Sequence, residues 1–261
     1  MIRHVSFLCT SFLMLICCAL PTHATTTCLY DFSSGSGNTF LSYCVTVNGN
    51  ILEIQTPFGQ NMLGAFGEGY GICDQNVGPQ NYSDYGVSDT GNWQNTIVLS
   101  HSSTSVKIAR TTADGHWTLT QTITKLPTSI KVVMALKNNQ AVSDVAYLVR
   151  FADAEPSTNG EDFWAGGLNS ALARTFQEGP NYGLQLANVG VPQFSYWQGF
   201  AQGVNTGPNA CAFAFNEGGG GKGVNFNGIV LTLAAGSIEM AYVGTVPAGH
   251  TRTVTLSYHG L

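Results

Sequence analysis

The chain has 261 residues, only 10% of them charged, and a formal net charge of −5. Average soluble proteins carry about 25% charged residues, so this surface is built from Ser, Thr, Asn, Gln and Gly. No run of Lys and Arg occurs anywhere in the sequence. Nucleic-acid binding relies on such a basic footprint, and that class of partner is set aside.

The N-terminus places Arg3 before an apolar run from Val5 to Leu20, followed by Pro21, Thr22, His23 and Ala24. A short basic start, an apolar middle and small residues at the end mark a signal peptide. Cleavage after Ala24 is predicted, with residues 1–24 removed and 25–261 forming one secreted or periplasmic domain. The apolar run, about 16 residues, is short of the roughly 20 that a membrane span needs. Nothing in residues 25–261 is long and apolar enough for a transmembrane segment. Of seven cysteines, Cys28, Cys44, Cys73 and Cys211 remain after cleavage. An even number in an exported chain implies two disulfides; Cys28–Cys44 and Cys73–Cys211 is the favoured pairing. No Cys-x-x-Cys spacing supports a zinc site.

Alternating apolar and polar residues, punctuated by turn signals, run along the chain. Leu41, Tyr43, Val45 and Val47 alternate with Ser42, Cys44 and Thr46, and Asn48–Gly49 turns the chain into Ile51–Ile54. Val106 and Ile108 start a second block, and Asp114–Gly115 supplies a turn. Trp117, Leu119, Gln121 and Ile123 then share one face, which makes Trp117 a core residue. Ile130 to Leu136 and Val145 to Phe151 continue the pattern on either side of Asn138–Asn139. Four consecutive antiparallel strands are therefore predicted between residues 105 and 153. Leu168, Leu172 and Phe176 recur every four residues before Gly179–Pro180, which predicts a helix over 168–178. Ile238–Val246 and Thr251–Tyr258 read as a closing hairpin over Pro247–Gly249. The predicted fold is all-β, a large antiparallel β-sandwich of supersandwich or jelly-roll type with at most one short helix. The segment Tyr242–Tyr258 resembles the last hairpin of exported sandwich domains. The overall layout is similar to the two-sheet supersandwich of sugar mutarotases and some polysaccharide enzymes. That resemblance implies architecture only, since no catalytic motif of those families matches residue by residue.

Several segments carry candidate chemistry. Asp153, Glu155, Asn159, Glu161 and Asp162 place oxygen side chains close together after a strong strand. Calcium takes six to eight such hard ligands, so this loop is a candidate Ca2+ site, although Pro156 and Trp164 depart from the EF-hand pattern. Glycoside hydrolysis needs paired carboxylates, and Glu68, Asp74, Asp84 and the 153–162 acids could supply a pair. Among His101, His116, His250 and His259, His116 is the best-placed acid/base. No Gly-x-Ser-x-Gly elbow occurs, and the glycine run before Lys222 lacks the Ser or Thr of a phosphate loop. Threonines 118, 120, 122 and 124, with 251, 253 and 255, read as the solvated side of a sheet.

Trp93, Trp164, Tyr196 and Trp197 fall in polar segments and are the candidate ligand-binding aromatics. Sugar rings stack on exposed aromatic faces. The favoured reading is thus a secreted non-catalytic sandwich that recognises a glycan or cell-surface polymer through these aromatics. The alternatives are a carbohydrate-active enzyme, a hydrolase or mutarotase-like protein using the 153–162 acids and His116, and a structural or adhesion protein.

Overall fold

The computed structural model describes residues 27–75, 80–86, 88–89, 91–156, 162–175, 182–202, 208, 210–211, 229–232 and 236–261. The signal-peptide expectation lies outside them. In chain order the described strands begin with β1 (Cys28–Ser34), β2 (Leu41–Thr46), β3 (Ile51–Gln55), β4 (Leu63–Asp74), β5 (Gln80–Tyr85) and β6 (Ser88–Asp89). They continue with β7 (Ile97–His101), β8 (Ser105–Thr111), β9 (Trp117–Lys125), β10 (Ser129–Asn138), β11 (Asp144–Ala154) and β12 (Asp162–Gly166). The last are β13 (Ser170–Thr175), β14 (Gly183–Asn188), β15 (Tyr196–Gln202), β16 (Ile229–Thr232), β17 (Ser237–Val246) and β18 (Thr251–Gly260).

Among the described residues these strands form three antiparallel sheets. Nine strands run in the order β16-β12-β13-β14-β18-β10-β9-β8-β7, six in the order β15-β17-β11-β4-β5-β6, and three as β1-β2-β3. The all-β sandwich is as predicted. No described helix is long and apolar enough to cross a membrane.

Two turns that read as hairpins are corners. β10 pairs with β9 and β18, whereas β11 pairs with β4 and β17, so the chain changes sheets at Asn138–Asn139. It changes back at Pro247–Gly249, because β17 belongs to the six-stranded sheet and β18 to the nine-stranded one. Asn138 fixes both corners at once, its amide donating to the carbonyls of Val142 (2.8 Å) and Val246 (3.0 Å). The predicted run of four neighbouring strands is therefore three, β8 to β10, with the fourth across the core. The predicted helix over 168–178 is also corrected. Residues 170–175 form β13, with Ala171 and Ala173 facing the core, and residues 176–178 lie outside the described ones.

The core between the sheets is apolar, with Trp117, Leu119, Ile123, Ile130, Val132, Leu148, Ile238, Met240 and Leu256 fully enclosed. Through it runs a polar network. Arg150 of β11 pairs with Glu68 of β4, binds the Gln121 side chain of β9, and donates to the Gly49 carbonyl at 3.2 Å. Glu68 also accepts from the Tyr258 hydroxyl of β18 and the Ile51 amide of β3, both at 2.8 Å. All three sheets thus meet at one buried ion pair. Beside it, Arg110 pairs with Asp84 and donates to the Tyr70 hydroxyl at 3.2 Å, with its guanidinium 5.1 Å from the Trp93 ring centre. Removing one partner of a buried pair strands the other charge, at about 3–5 kcal/mol. Arg150→Ala is accordingly expected to lower the unfolding free energy by that amount in urea melts. A loss below about 1 kcal/mol would mean the network is not what joins the sheets.

Candidate functional site

Side chains of a strand alternate between faces, so the inward network dictates what faces out. On β11, Leu148, Arg150 and Ala152 point into the core, which turns Val149, Phe151 and Asp153 to the outer face of the six-stranded sheet. On β17, Ile238, Met240 and Tyr242 point inward, and Ser237, Glu239 and Ala241 outward. Glu239 is in register with Phe151 on one side and Phe200 of β15 on the other. Asp153 is in register with Ser237, one step along the same face. Glu239 and Asp153 are therefore diagonal neighbours on adjacent strands, about 7–8 Å apart at the backbone.

Part of this face is covered. Cys73, Val149, Phe200, Ala210, Cys211 and Ala241 form a second apolar cluster, separate from the core between the sheets. The Cys73–Cys211 disulfide, with Cα atoms 4.8 Å apart, anchors it. The approach is close enough that a Cβ on Gly71 would strike the Pro208 carbonyl. The other predicted bridge, Cys28–Cys44, joins β1 to β2.

Glu239 is the exceptional group on this face. It is fully buried, and neither carboxyl oxygen has a hydrogen-bond partner among the described residues; the Ser237 hydroxyl beside it has none either. Burial between two phenylalanines disfavours the ionised form and pushes the Glu239 carboxyl well above its usual range. Asp153 differs: its Oδ2 accepts the Phe66 amide at 2.8 Å. The Asp153 and Glu155 carboxyls converge where a Cβ on Gly64 would stand, opposite an irregularity in the β4–β11 register. An acid whose ionised form is disfavoured by burial, with a second, hydrogen-bonded carboxyl on the neighbouring strand, is the pairing that acid–base chemistry on a neutral substrate requires.

His116 lies elsewhere, at the β8–β9 turn. Its Nδ1 is 3.5 Å from Oδ2 of both Asp74 and Asp114. Asp74 accepts the Trp117 indole N–H at 3.0 Å, and Asp114 accepts from the Thr112 hydroxyl at 2.6 Å and from the Tyr82 hydroxyl. Burial opposes the Asp114 charge, but the Thr112, Tyr82 and His116 donors outweigh it and hold this carboxyl below the usual range. Asp144 is pushed up, by burial first and the Asp74 charge second. Asp74 ties the turn to the end of β4 and Tyr82 ties it to β5, while the Thr112–Asp114 bond braces the turn itself, so the group serves as a fastening at the end of the sandwich.

The structure separates the four aromatics singled out in the sequence. Trp164 is 1% exposed, with its indole donating to the Ala154 carbonyl at 3.3 Å. It is a core residue of β12. Trp93 is also buried, edge-on to Tyr70 and Tyr82 and donating to the Ser83 carbonyl. Trp197 packs half-buried on the core and donates to Asn169 Oδ1 at 2.9 Å. Tyr196 alone of the four is exposed, its hydroxyl bonded to the Gln198 side chain. Of the calcium set, Asp153 and Glu155 come together; Asn159, Glu161 and the Asp162 side chain lie outside the described residues. Glu239 is the residue of this face that sequence reasoning misses. Its sequence signal is a lone carboxylate on the alternate face of an otherwise uncharged strand.

No protein-family profile matches the sequence, and a search of curated proteins finds no match. Solved structures do match in fold. A candidate aldose 1-epimerase from Escherichia coli K12 is 11% identical, with a TM-score of 0.51 over 88% of this chain and 98% of its own. A protein from Synechocystis sp. PCC 6803 is 8% identical, with a TM-score of 0.51 over 99% of both chains. A bacterial glucoamylase in complex with acarbose is 10% identical, with a TM-score of 0.54 over 90% of this chain and 32% of its own. The chain thus has the sandwich fold of galactose-mutarotase-like proteins. The expectation of a non-catalytic protein reading glycans through loop aromatics is corrected. The proteins that share its fold include a candidate epimerase and a glucoamylase, and two of its four aromatics are interior.

Trp164→Ala is expected to cost about 3–5 kcal/mol of stability, read from the urea midpoint; a loss under 1 kcal/mol would return Trp164 to the surface. The Glu239 shift has a signed consequence. An acid raised in the folded state contributes stability below its unfolded value, 4.5, that is lost as pH rises towards the folded one. Against Glu239→Gln, the wild type should match at pH 4 and then fall behind by up to about 1.4 kcal/mol per pH unit. Thermal melts from pH 4 to 8 check this, and a pH-independent difference would contradict it.

Proposed function

We propose that the protein is an exported carbohydrate-active enzyme whose reaction centre is the outer face of the six-stranded sheet, with Glu239 as proton donor and Asp153 as proton acceptor. One observation carries this reading. A fully buried carboxyl without a hydrogen-bond partner among the described residues stands between two phenylalanines, one diagonal step from a second acid. Such a group costs stability unless something binds it, and a ligand rich in hydroxyls would supply the missing partners. The fold shared with a candidate aldose 1-epimerase and a glucoamylase supports a sugar as that ligand. The two disulfides and the N-terminal segment support export.

The chemistry follows from what a sugar's anomeric centre requires. Opening a pyranose ring takes a proton onto the ring oxygen from Glu239 and the hydroxyl proton of the anomeric carbon into Asp153. Reclosure on the opposite face returns both protons and exchanges the anomers. Hydrolysis of a glycoside would use the same donor on the bridging oxygen and the second carboxyl on the other side of the sugar. Phe151 and Phe200 flank Glu239 in register, and burial there disfavours its ionised form.

The test is anomer interconversion of freshly dissolved neutral aldoses, followed by polarimetry, beside reducing-end release from glycosides. Wild type should accelerate one of the two, and Glu239→Gln and Asp153→Asn should each lose about 10²–10⁴-fold while keeping the wild-type circular dichroism. Full rates in Glu239→Gln, or no acceleration of either reaction by wild type, would overturn the reading.

A further inference from the structure

The opposite side of the molecule has a different charge. No acidic residue occurs on β7, β8, β9, β10, β13, β14 or β18, whereas Lys107, Lys131, Lys137 and Arg174 do. The alternation decides where these four point. Val106 and Ile108, Val132, Leu136, and Ala171 and Ala173 face the core, so Lys107, Lys131, Lys137 and Arg174 lie on the outer face of the nine-stranded sheet. In a chain of net charge −5, these seven strands carry basic side chains and no acid.

Its geometry is a lattice rather than a pocket. Lys107 is in register with Thr122 and Val133, Lys131 with Thr124 and Ser257, and Lys137 with Thr118 and Thr251. Strand spacing then puts Lys107 about 12 Å from Lys131, and Lys131 about 20 Å from Lys137. Hydroxyls fill the rows between them: Thr120 with Thr253, Thr122, Thr255 and Thr124. Ser257, in register with Lys131, is buried, and its hydroxyl has no hydrogen-bond partner among the described residues. Val133 and Leu172 are the large aliphatic side chains that project from the centre of this face, and Ile97, Val98 and Leu99 are exposed on its edge strand β7.

We infer that this face is an ancillary docking surface for an extended acidic polysaccharide, one bearing carboxylate or sulfate groups. Charges 12–20 Å apart cannot converge on one small anion, but they match a stiff polymer that presents an anion every sugar or two. The threonine rows between them offer donors and acceptors to its hydroxyls. The surface is independent of the reaction centre proposed above, which lies across the core, and it would hold the protein on an acidic matrix.

Affinity electrophoresis of the purified protein through gels containing polygalacturonate, dextran sulfate or neutral dextran tests this, with Lys107→Gln/Lys131→Gln/Lys137→Gln as the variant. The wild type should be retarded by both acidic polymers and not by neutral dextran. Retardation should fall at least tenfold in the triple variant and be suppressed at 0.5 M salt, about three times the physiological ionic strength used to define screening. The triple variant should keep any sugar activity, which separates failure here from failure of the catalytic reading. Equal retardation of wild type and triple variant, or none by acidic polymers, would overturn the inference. Cosedimentation with phosphatidylserine vesicles without retardation by either acidic polymer would also overturn it, by assigning the face to a lipid surface.

Discussion

The buried Arg150–Glu68 pair is the constraint on which the architecture turns. Arg150 reaches the nine-stranded sheet through Gln121 and the small sheet through Gly49, while Glu68 takes its donors from Tyr258 and Ile51. Burial pushes the Glu68 carboxyl up, against the pull of Arg150. A buried pair of this kind is a poor source of net stability but a strong selector among alternative packings. A slip of β11 by one residue would replace Arg150 in the core with Val149 or Phe151 and leave Glu68 without its cation.

That selection reaches the outer face. Because the register of β11 is fixed from the inside, Phe151 and Asp153 have one place on the outside. The β11–β17 register then sets Glu239 between Phe151 and Phe200. The core thus fixes the register that puts Glu239 and Asp153 on the outer face. The Cys73–Cys211 bridge adds the cover over Gly71 that makes this side of the sheet a partly enclosed environment.

Much of this was legible in the sequence, and the failures have identifiable physical causes. Strand alternation, the Asn48–Gly49 and Asp114–Gly115 turns and the Cys28–Cys44 bridge are local or nearly so, and with that bridge made only Cys73 and Cys211 remain to pair across 138 residues. The corners at Asn138 and Pro247 have the turn chemistry of hairpins, and only tertiary packing sends the next strand to another sheet. Residues 168–178 misled because a spacing of four fits two strand repeats as well as one helical turn, and the small Ala171 and Ala173 hid the core face of β13. Trp164 sits beside acidic residues, so its segment reads as a loop, although the indole is interior. A lone carboxylate in a strand reads as the solvent face, and nothing local in Ser237–Val246 reveals that Glu239 is buried. The basic face is equally hidden: Lys107, Lys131, Lys137 and Arg174 are distant in sequence and become neighbours only when the sheet forms.

The molecule that results has two outward faces of opposite character, one holding buried acid chemistry and one open and basic, on either side of a core held by a single ion network. The most direct measurement is a crystal structure of the wild type soaked with a neutral aldose. The sugar is expected on the outer face of the six-stranded sheet, with an oxygen within hydrogen-bond distance of the Glu239 carboxyl and the Asp153 carboxyl on its other side. A sugar seated beside His116 at the end of the sandwich, with Glu239 still unpartnered, would contradict it.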